Sequence, residues 1–279
     1  MAGDRSWHRL DGRGNGKAST AEESVVVVTA ADANYALPLA VMGRSLIDHL
    51  QPGRRLILYI LDGGMRARER RAVSSSWDLE RTEVRWVKIA SSRLRGVPST
   101  KRFGPVTYFR LLIPEILPRS MRRAIYIDAD TLVLDDIAKL WRYRLRGHPL
   151  GAVQDPLLWT FGSSGLPWDE LEIPPHAEYF NSGVLLMDLA LWRRESFAYK
   201  VFEFARDHTR DIMFPDQDAL NGVFAGRWRR LHPRWNCALE QAERNAGSPD
   251  VPNGLDYADA VDRPGILHYI GGPKPWQQY

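Results

Sequence analysis

The chain has 279 residues, 44% of them hydrophobic and 26% charged, a globular composition that excludes a wholly disordered chain or a fibre and allows one large α/β domain or two small ones. Its one cysteine, Cys237, excludes an intrachain disulfide and any zinc site built on several thiolates. Lysine plus arginine (38) exceeds aspartate plus glutamate (34) by only 4, too little to argue for nucleic-acid binding.

Residues 1–23 are rich in Gly, Ser, Arg and Asp, lack apolar periodicity and lack the apolar stretch of a secretory signal, so a flexible tail is expected there and one ordered domain over 24–279. Val25-Val26-Val27-Val28 is a continuous β-branched run of the kind buried on both faces of a parallel sheet. The run stops at Asp32, well short of the ~18 residues of a membrane span. A cytoplasmic protein is expected, with a peripheral place on the inner membrane face as the alternative.

Leu37, Ala40, Val41, Ser45 and Leu46 fall at helical spacing, and Leu56 to Leu61 return as a second strand, which completes a βαβ unit. A charged helical stretch over 65–77 leads to a third strand over 84–89. Ala124 to Ile127 form a fourth. Residues 155–175 read as a loop, with Pro156, Pro167, Pro174 and Pro175. Residues 182–189 are predicted as a strand, 192–208 as one helix and 216–224 as a short helix. There is no internal repeat and no interdomain linker. The predicted fold is α/β, with a mainly parallel mixed sheet of Rossmann-like form flanked by helices. Each apolar strand runs into polar residues at its C-terminal end, the edge at which open parallel sheets bind ligands.

The fourth strand delivers two carboxylates two positions apart, Asp128-Ala129-Asp130. Such a pair can reach a hard divalent cation, with substrate phosphates completing the oxygen shell. The bland reading is a strand-end turn in which the aspartates cap Asp135-Asp136-Ile137.

Six segments in the same order resemble glycosyltransferase family 8, the family of glycogenin and of lipooligosaccharide galactosyltransferases. They are Thr29-Ala30-Ala31-Asp32-Ala33-Asn34-Tyr35, Thr107-Tyr108-Phe109-Arg110-Leu111, Asp128-Ala129-Asp130, Tyr179-Phe180-Asn181-Ser182-Gly183, Pro215-Asp216-Gln217-Asp218 and His268-Tyr269-Ile270-Gly271-Gly272-Pro273-Lys274-Pro275-Trp276. The resemblance implies a single GT-A-like domain that moves a hexose, glucose or galactose, from its uridine diphosphate (UDP) donor to an acceptor hydroxyl with retention. It implies manganese, with magnesium as the alternative, held by Asp128, Asp130 and His268.

It also implies donor contacts at Ala30, Ala31, Asp32, Asn34, Tyr35, Arg110, Asp128, Ala129, Asn181, Asp216, Gln217, Gly271, Gly272 and Lys274. Uridine falls at Asp32, Asn34 and Tyr35, which can equally cap a helix. Arg110 reaches the donor sugar and the metal-site carboxylates, although a surface ion pair with Glu115 is the bland reading. Asn181 and Asp216 hold sugar hydroxyls, and Gln217 lies near the anomeric carbon. Gly271 and Gly272 allow close backbone approach to the diphosphate, and Lys274 brings its ammonium there. The catalytic set implied is Gln217, Asp216 and Arg110.

The acceptor is not readable: a glycan, a lipid-linked glycan or a small molecule all fit. Trp159, Phe161, Trp168 and Trp235 could form an aromatic platform for it or simply pack. Several family members continue past the Lys-Pro-Trp segment into a basic, aromatic membrane-contacting tail. The present chain ends at Tyr279, which leaves a shortened chain or a soluble acceptor as readings. Two rivals remain. A haloacid dehalogenase-type phosphohydrolase would use Asp128 as nucleophile and Asp130 as acid/base, but three strands precede the motif and the terminal His/Lys-Pro-Trp pattern would have no role. A sugar-nucleotide or glycan-binding module would keep the fold without turnover.

Overall fold

The computed structural model describes residues 24–98, 103–247 and 254–277, so the tail expected over 1–23 lies outside the described residues. The valine run forms β1 (Val25–Ala31), buried along its whole length. It lies between β2 (Leu56–Asp62) and β4 (Arg123–Ile127), both parallel to it, with β3 (Thr82–Lys88) beyond β2. On the other side, β4 pairs antiparallel with β7 (Phe180–Asp188), which pairs antiparallel with β6 (Leu150–Gln154); β8 (Arg229–Arg230) closes the edge. The order β3-β2-β1-β4-β7-β6-β8 makes a seven-stranded, mainly parallel mixed sheet. A separate two-stranded ribbon pairs β5 (Thr131–Val133) with β9 (Ile266–His268).

The helices are α1 (Ala36–Asp48), α2 (Ala67–Ser75), α3 (Ile113–Ile116), α4 (Ala138–Trp141), α5 (Leu189–Arg194), α6 (Phe197–Asp207), α7 (Pro215–Phe224), α8 (Leu239–Asn245) and α9 (Gly254–Asp262). None among the described residues is long and apolar enough to cross a membrane. Two sequence expectations are corrected. The buried face of α1 is Leu39, Met42, Ser45 and Leu46, while Leu37 and Val41 are exposed, because Trp77 packs on Gly43 and donates its indole N–H to the Ala40 carbonyl at 2.9 Å. The single helix expected over 192–208 is two, α5 and α6, broken at Ser196 with φ of 53°. This break lets Trp192, Phe197 and Phe224 meet in one aromatic cluster.

Strand order reverses between β1 and β4, and such a switch point opens a crevice beyond the C-terminal ends of the strands. Asp32 and Asp128 follow those two strands directly. A register shift between Ala152 and Val153 of β6 sets Ala152 opposite Leu185 but Val153 opposite Asn181, so Ser182, Gly183 and Val184 leave the β6 ladder. The irregularity aims this stretch of β7 at the crevice. Pairing of Thr131 with His268 in the ribbon brings the far end of the chain to the same place.

Candidate active site

Asp128 and Asp130 stand at the mouth of β4, and β9 carries His268 beside them. One ligand atom from each of the three lies within 4.8 Å of the other two. His268 Nε2 is 3.4 Å from Asp130 Oδ1 and 3.9 Å from Asp128 Oδ2. Gly183 makes this convergence possible, since a Cβ there would lie 2.3 Å from His268 Cε1 and 2.9 Å from Asp128 Oδ2.

Arg110 is the buried cation of the site, held on a 3-10 helix over Pro105–Leu112. It donates to Asp128 Oδ1 from Nη2 at 2.8 Å, pairs through Nε with Asp216 Oδ2 at 3.1 Å, and donates to the Ser182 carbonyl and hydroxyl from Nη1 at 2.6 and 2.9 Å. The guanidinium also lies 4.3 Å from the Tyr126 ring centroid. Burial works against its charge, but Asp128 and Asp216 hold it protonated beyond the ordinary arginine range. Burial raises the Tyr126 phenol well above its usual value, so its O–H stays a donor, here to Asp128 Oδ1 at 2.7 Å.

Burial and the nearby Asp128 raise Asp216 from 3.8 to about 6 despite Arg110. Burial pushes Asp130 the same way, but His268 and Lys274 outweigh it and hold this carboxyl below its usual range. Lys274 Nζ donates to Asp130 Oδ2 at 2.6 Å and also to the Tyr269 carbonyl.

Gln217 is fixed at both ends: its Oε1 accepts from the Ser182 N–H at 3.0 Å and its Nε2 donates to Asp155 Oδ2 at 3.1 Å. Asn181 Nδ2 donates to the same Asp155 oxygen at 3.0 Å. The fold thus brings the sequence-predicted residues Arg110, Asp128, Asp130, Asn181, Asp216, Gln217, His268 and Lys274 into one cluster. Ala129 is buried between the two carboxylates in the chain.

The first-strand segment reaches this cluster through an edge-on contact of Tyr35 with Trp276, 6.1 Å between ring centroids. Ala30 and Ala31 are buried at the end of β1, Asn34 is exposed, and Asp32 accepts from the Asn34 N–H at 2.9 Å as an N-cap. Gly271 has φ of +75°, and a Cβ at Gly271 or Gly272 would meet nothing within 4 Å, leaving room beside Lys274.

Several bland alternatives fail on geometry. Glu115 pairs with Arg93 at 3.2 Å, not with Arg110. Asp135 and Asp136 cap their own turn, Asp136 accepting from the Ala138 N–H at 3.1 Å, so Asp128 and Asp130 are free of that task. The aromatic platform is not assembled: Phe161 and Trp235 are core residues, and Trp159 donates its indole N–H to the Pro156 carbonyl at 2.6 Å. Asp155, Ser182, Asn236 and Tyr126 belong to the site and were not singled out from sequence. Asp155 carries the same strand-end signal as Asp128, following β6 directly, whereas Asn236 carries none.

Two carboxylates and an imidazole offer a hard cation two oxygens and a nitrogen with open positions, a donor set that fits manganese or magnesium. His268 has Nδ1 hydrogen-bonded to Asn236 at 2.8 Å, which leaves Nε2 toward the carboxylates, the outer-shell arrangement usual for metal-binding histidines.

The galactosyltransferase LgtC, solved with donor and acceptor sugar analogs, superimposes with a TM-score of 0.78 at 27% identity, over 91% of this chain and 90% of that one. General stress protein A of Bacillus subtilis is 29% identical over 258 residues, 91% of this chain and 88% of that protein. The lipopolysaccharide 1,3-galactosyltransferase of Salmonella typhimurium is 30% identical over 203 residues, 71% of this chain and 57% of that protein. The fold is GT-A, as in LgtC, and the phosphohydrolase alternative falls. With the family model matching residues 26–279, the chain belongs to glycosyl transferase family 8.

Proposed function

We propose that residues 24–279 form the catalytic unit of a retaining hexosyltransferase, which moves glucose or galactose from a UDP-sugar to an acceptor hydroxyl. Asp128, Asp130 and His268 would hold Mn2+, or Mg2+ in its place. The observation that carries this reading is the convergence of those three groups within 4.8 Å, beside a lysine and a buried arginine. A bound divalent cation would neutralise charge that develops on the departing diphosphate.

The other work falls to the chain. Asp32, Asn34 and Tyr35 orient the uridine, and Lys274, beside the open Gly271-Gly272 backbone, holds the diphosphate. Asn181 and Asp216 orient the hexose hydroxyls. Arg110 keeps Asp128 and Asp216 apart in charge and fixed in place. In the transfer step, the bond from C1 to the phosphate oxygen breaks while the acceptor oxygen bonds to C1 on the same face, and the acceptor proton passes to the departing phosphate.

Same-face attack is supported by the carboxylates near Gln217: Asp216 is tied to Arg110 and Ser182, and Asp155 to two amides. Gln217 then acts as a fixed amide beside the anomeric carbon. A cleft of about 330 Å³, lined by Cys237, Glu240, Glu243, His268 and Tyr269, adjoins the site and is open to an acceptor. The names of the galactosyltransferase LgtC, solved with an acceptor sugar analog, and of the lipopolysaccharide 1,3-galactosyltransferase favour galactose and a glycan acceptor.

UDP release from UDP-galactose and UDP-glucose tests this reading. Release with Mn2+ is expected, falling to background in excess chelator and by at least about 100-fold in Asp130→Ala. Donor binding without release in any condition would make the chain a binding module. Full release in excess chelator would overturn the role of the metal.

A further inference from the structure

A metal-binding histidine works only if the nitrogen facing the metal carries a lone pair, and in neutral imidazole that depends on where the single proton sits. Around His268 a buried chain of amides decides the matter by forced choices. The Gly183 backbone N–H can only donate, so the Asn181 atom 2.9 Å from it is the oxygen. The Asp155 carboxylate facing the other end of Asn181 at 3.0 Å agrees, because there Asn181 must offer its NH2.

Asn236 meets that same Asn181 oxygen at 2.8 Å and must therefore present its own NH2 to it. Its oxygen is thereby turned to His268 Nδ1, 2.8 Å away. The proton then sits on Nδ1, and the Nε2 lone pair faces Asp128 and Asp130. Every member of the chain is buried: Asn236 is 4% exposed, Asp155 4%, Asn181 8% and His268 8%. Water therefore offers little alternative at any link.

The backbone holds the two ends of the contact in step. Asn236 closes a 3-10 turn over Pro233–Asn236, and the next residue is clipped to β9 on both sides, Cys237 N–H to the Ile266 carbonyl at 2.8 Å and His268 N–H to the Cys237 carbonyl at 2.9 Å. We propose that Asn236 is a positioning residue whose amide, oriented by Asn181, fixes His268 in the Nδ1–H tautomer and so keeps Nε2 available to a cation. The inference rests on the metal-binding reading given above.

Two measurements test it, one of them without metal. In metal-free protein labelled at histidine, at a pH where the imidazole is neutral, proton–nitrogen correlation spectra read the tautomer directly, with His268→Gln assigning the signal. Wild type should show Nδ1–H. Asn236→Leu, which is similar in size and offers no acceptor, should populate Nε2–H and lower Mn2+ affinity about 10- to 100-fold; Asn236→Ala serves if the leucine variant does not fold.

Asn236→Asp keeps an acceptor toward Nδ1 but loses the NH2 that meets the Asn181 oxygen, so it should retain the Nδ1–H form and bind Mn2+ more tightly than Asn236→Leu. A packing role alone would not give that rescue. An unchanged tautomer and affinity in Asn236→Leu, or an aspartate variant that shifts to Nε2–H as the leucine one does, would overturn the proposal. Wild type that binds no Mn2+ would instead count against the metal reading, while the metal-free spectra still decide the role of Asn236.

Discussion

At Gly183 the absent side chain is the structural requirement. A Cβ would press on His268 Cε1 at 2.3 Å and Nδ1 at 2.7 Å, and neither neighbour can give way cheaply. The ring is held by Asn236, and Asp128 by Arg110 and Tyr126. Gly183→Ala should cost about 1–3 kcal/mol of stability as an overpacked site. It should also weaken Mn2+ binding about 10-fold or more, because the displaced ring and carboxylate no longer share an ion. Urea unfolding and a Mn2+ titration check both effects; an alanine variant that binds metal as wild type does would show that the cradle is looser than it looks. Asp128, Asp130 and His268 were legible in the sequence because their residue types and order carry the family resemblance. Asn236 was not, because a lone amide acquires its role only from neighbours 32 and 55 positions away in the chain.

The elements legible in the sequence were those with unbroken apolar runs. β1, β2 and β4 are buried through the centre of the sheet, and no turn residue interrupts them. Three features escaped. The amphipathic face of α1 was misplaced because Trp77, which lies 37 positions from the carbonyl it bonds, decides which face is covered. The break between α5 and α6 escaped because Ser196 adopts φ of 53° without a glycine or proline to announce it.

That conformation costs an L-residue about 1 kcal/mol, which glycine largely avoids. Ser196→Gly should therefore stabilise the protein by about 0.5–1 kcal/mol and raise Tm by about 2 °C. A lower Tm would mean that Ser196 contributes more through its side chain than its backbone loses. The ribbon of β5 and β9 was equally unreadable as a pairing, since three residues on each side carry too little pattern, yet it is what carries His268 to Asp130.

For the whole molecule, the buried charges set a pH dependence whose two parts have opposite sign. Asp130 is held below its ordinary value of 3.8, so its stabilisation is present above about pH 4 and is lost as pH falls. Asp216 is raised from 3.8 to about 6, so the folded state binds its proton more tightly than the unfolded chain and stability falls as pH rises through that window. A raised value of this size corresponds to about 3 kcal/mol between pH 4 and 6. The stability difference between wild type and Asp216→Asn should therefore shrink or reverse by about that amount from pH 4 to 6 and stay flat above. A difference independent of pH would show that Asp216 is ionised throughout.

The fold that buries these groups also brings one end of the described chain against the other, the turn after β1 and the segment after β9 meeting through Tyr35 and Trp276. The proposed function requires that Asp128, Asp130 and His268 share a cation across that closure. A crystal structure with Mn2+ and UDP tests it most directly: the ion should be bonded to carboxylate oxygens of Asp128 and Asp130 and to Nε2 of His268, with the diphosphate on its open side. An ion seated elsewhere, or held by the carboxylates with His268 turned away, would contradict it.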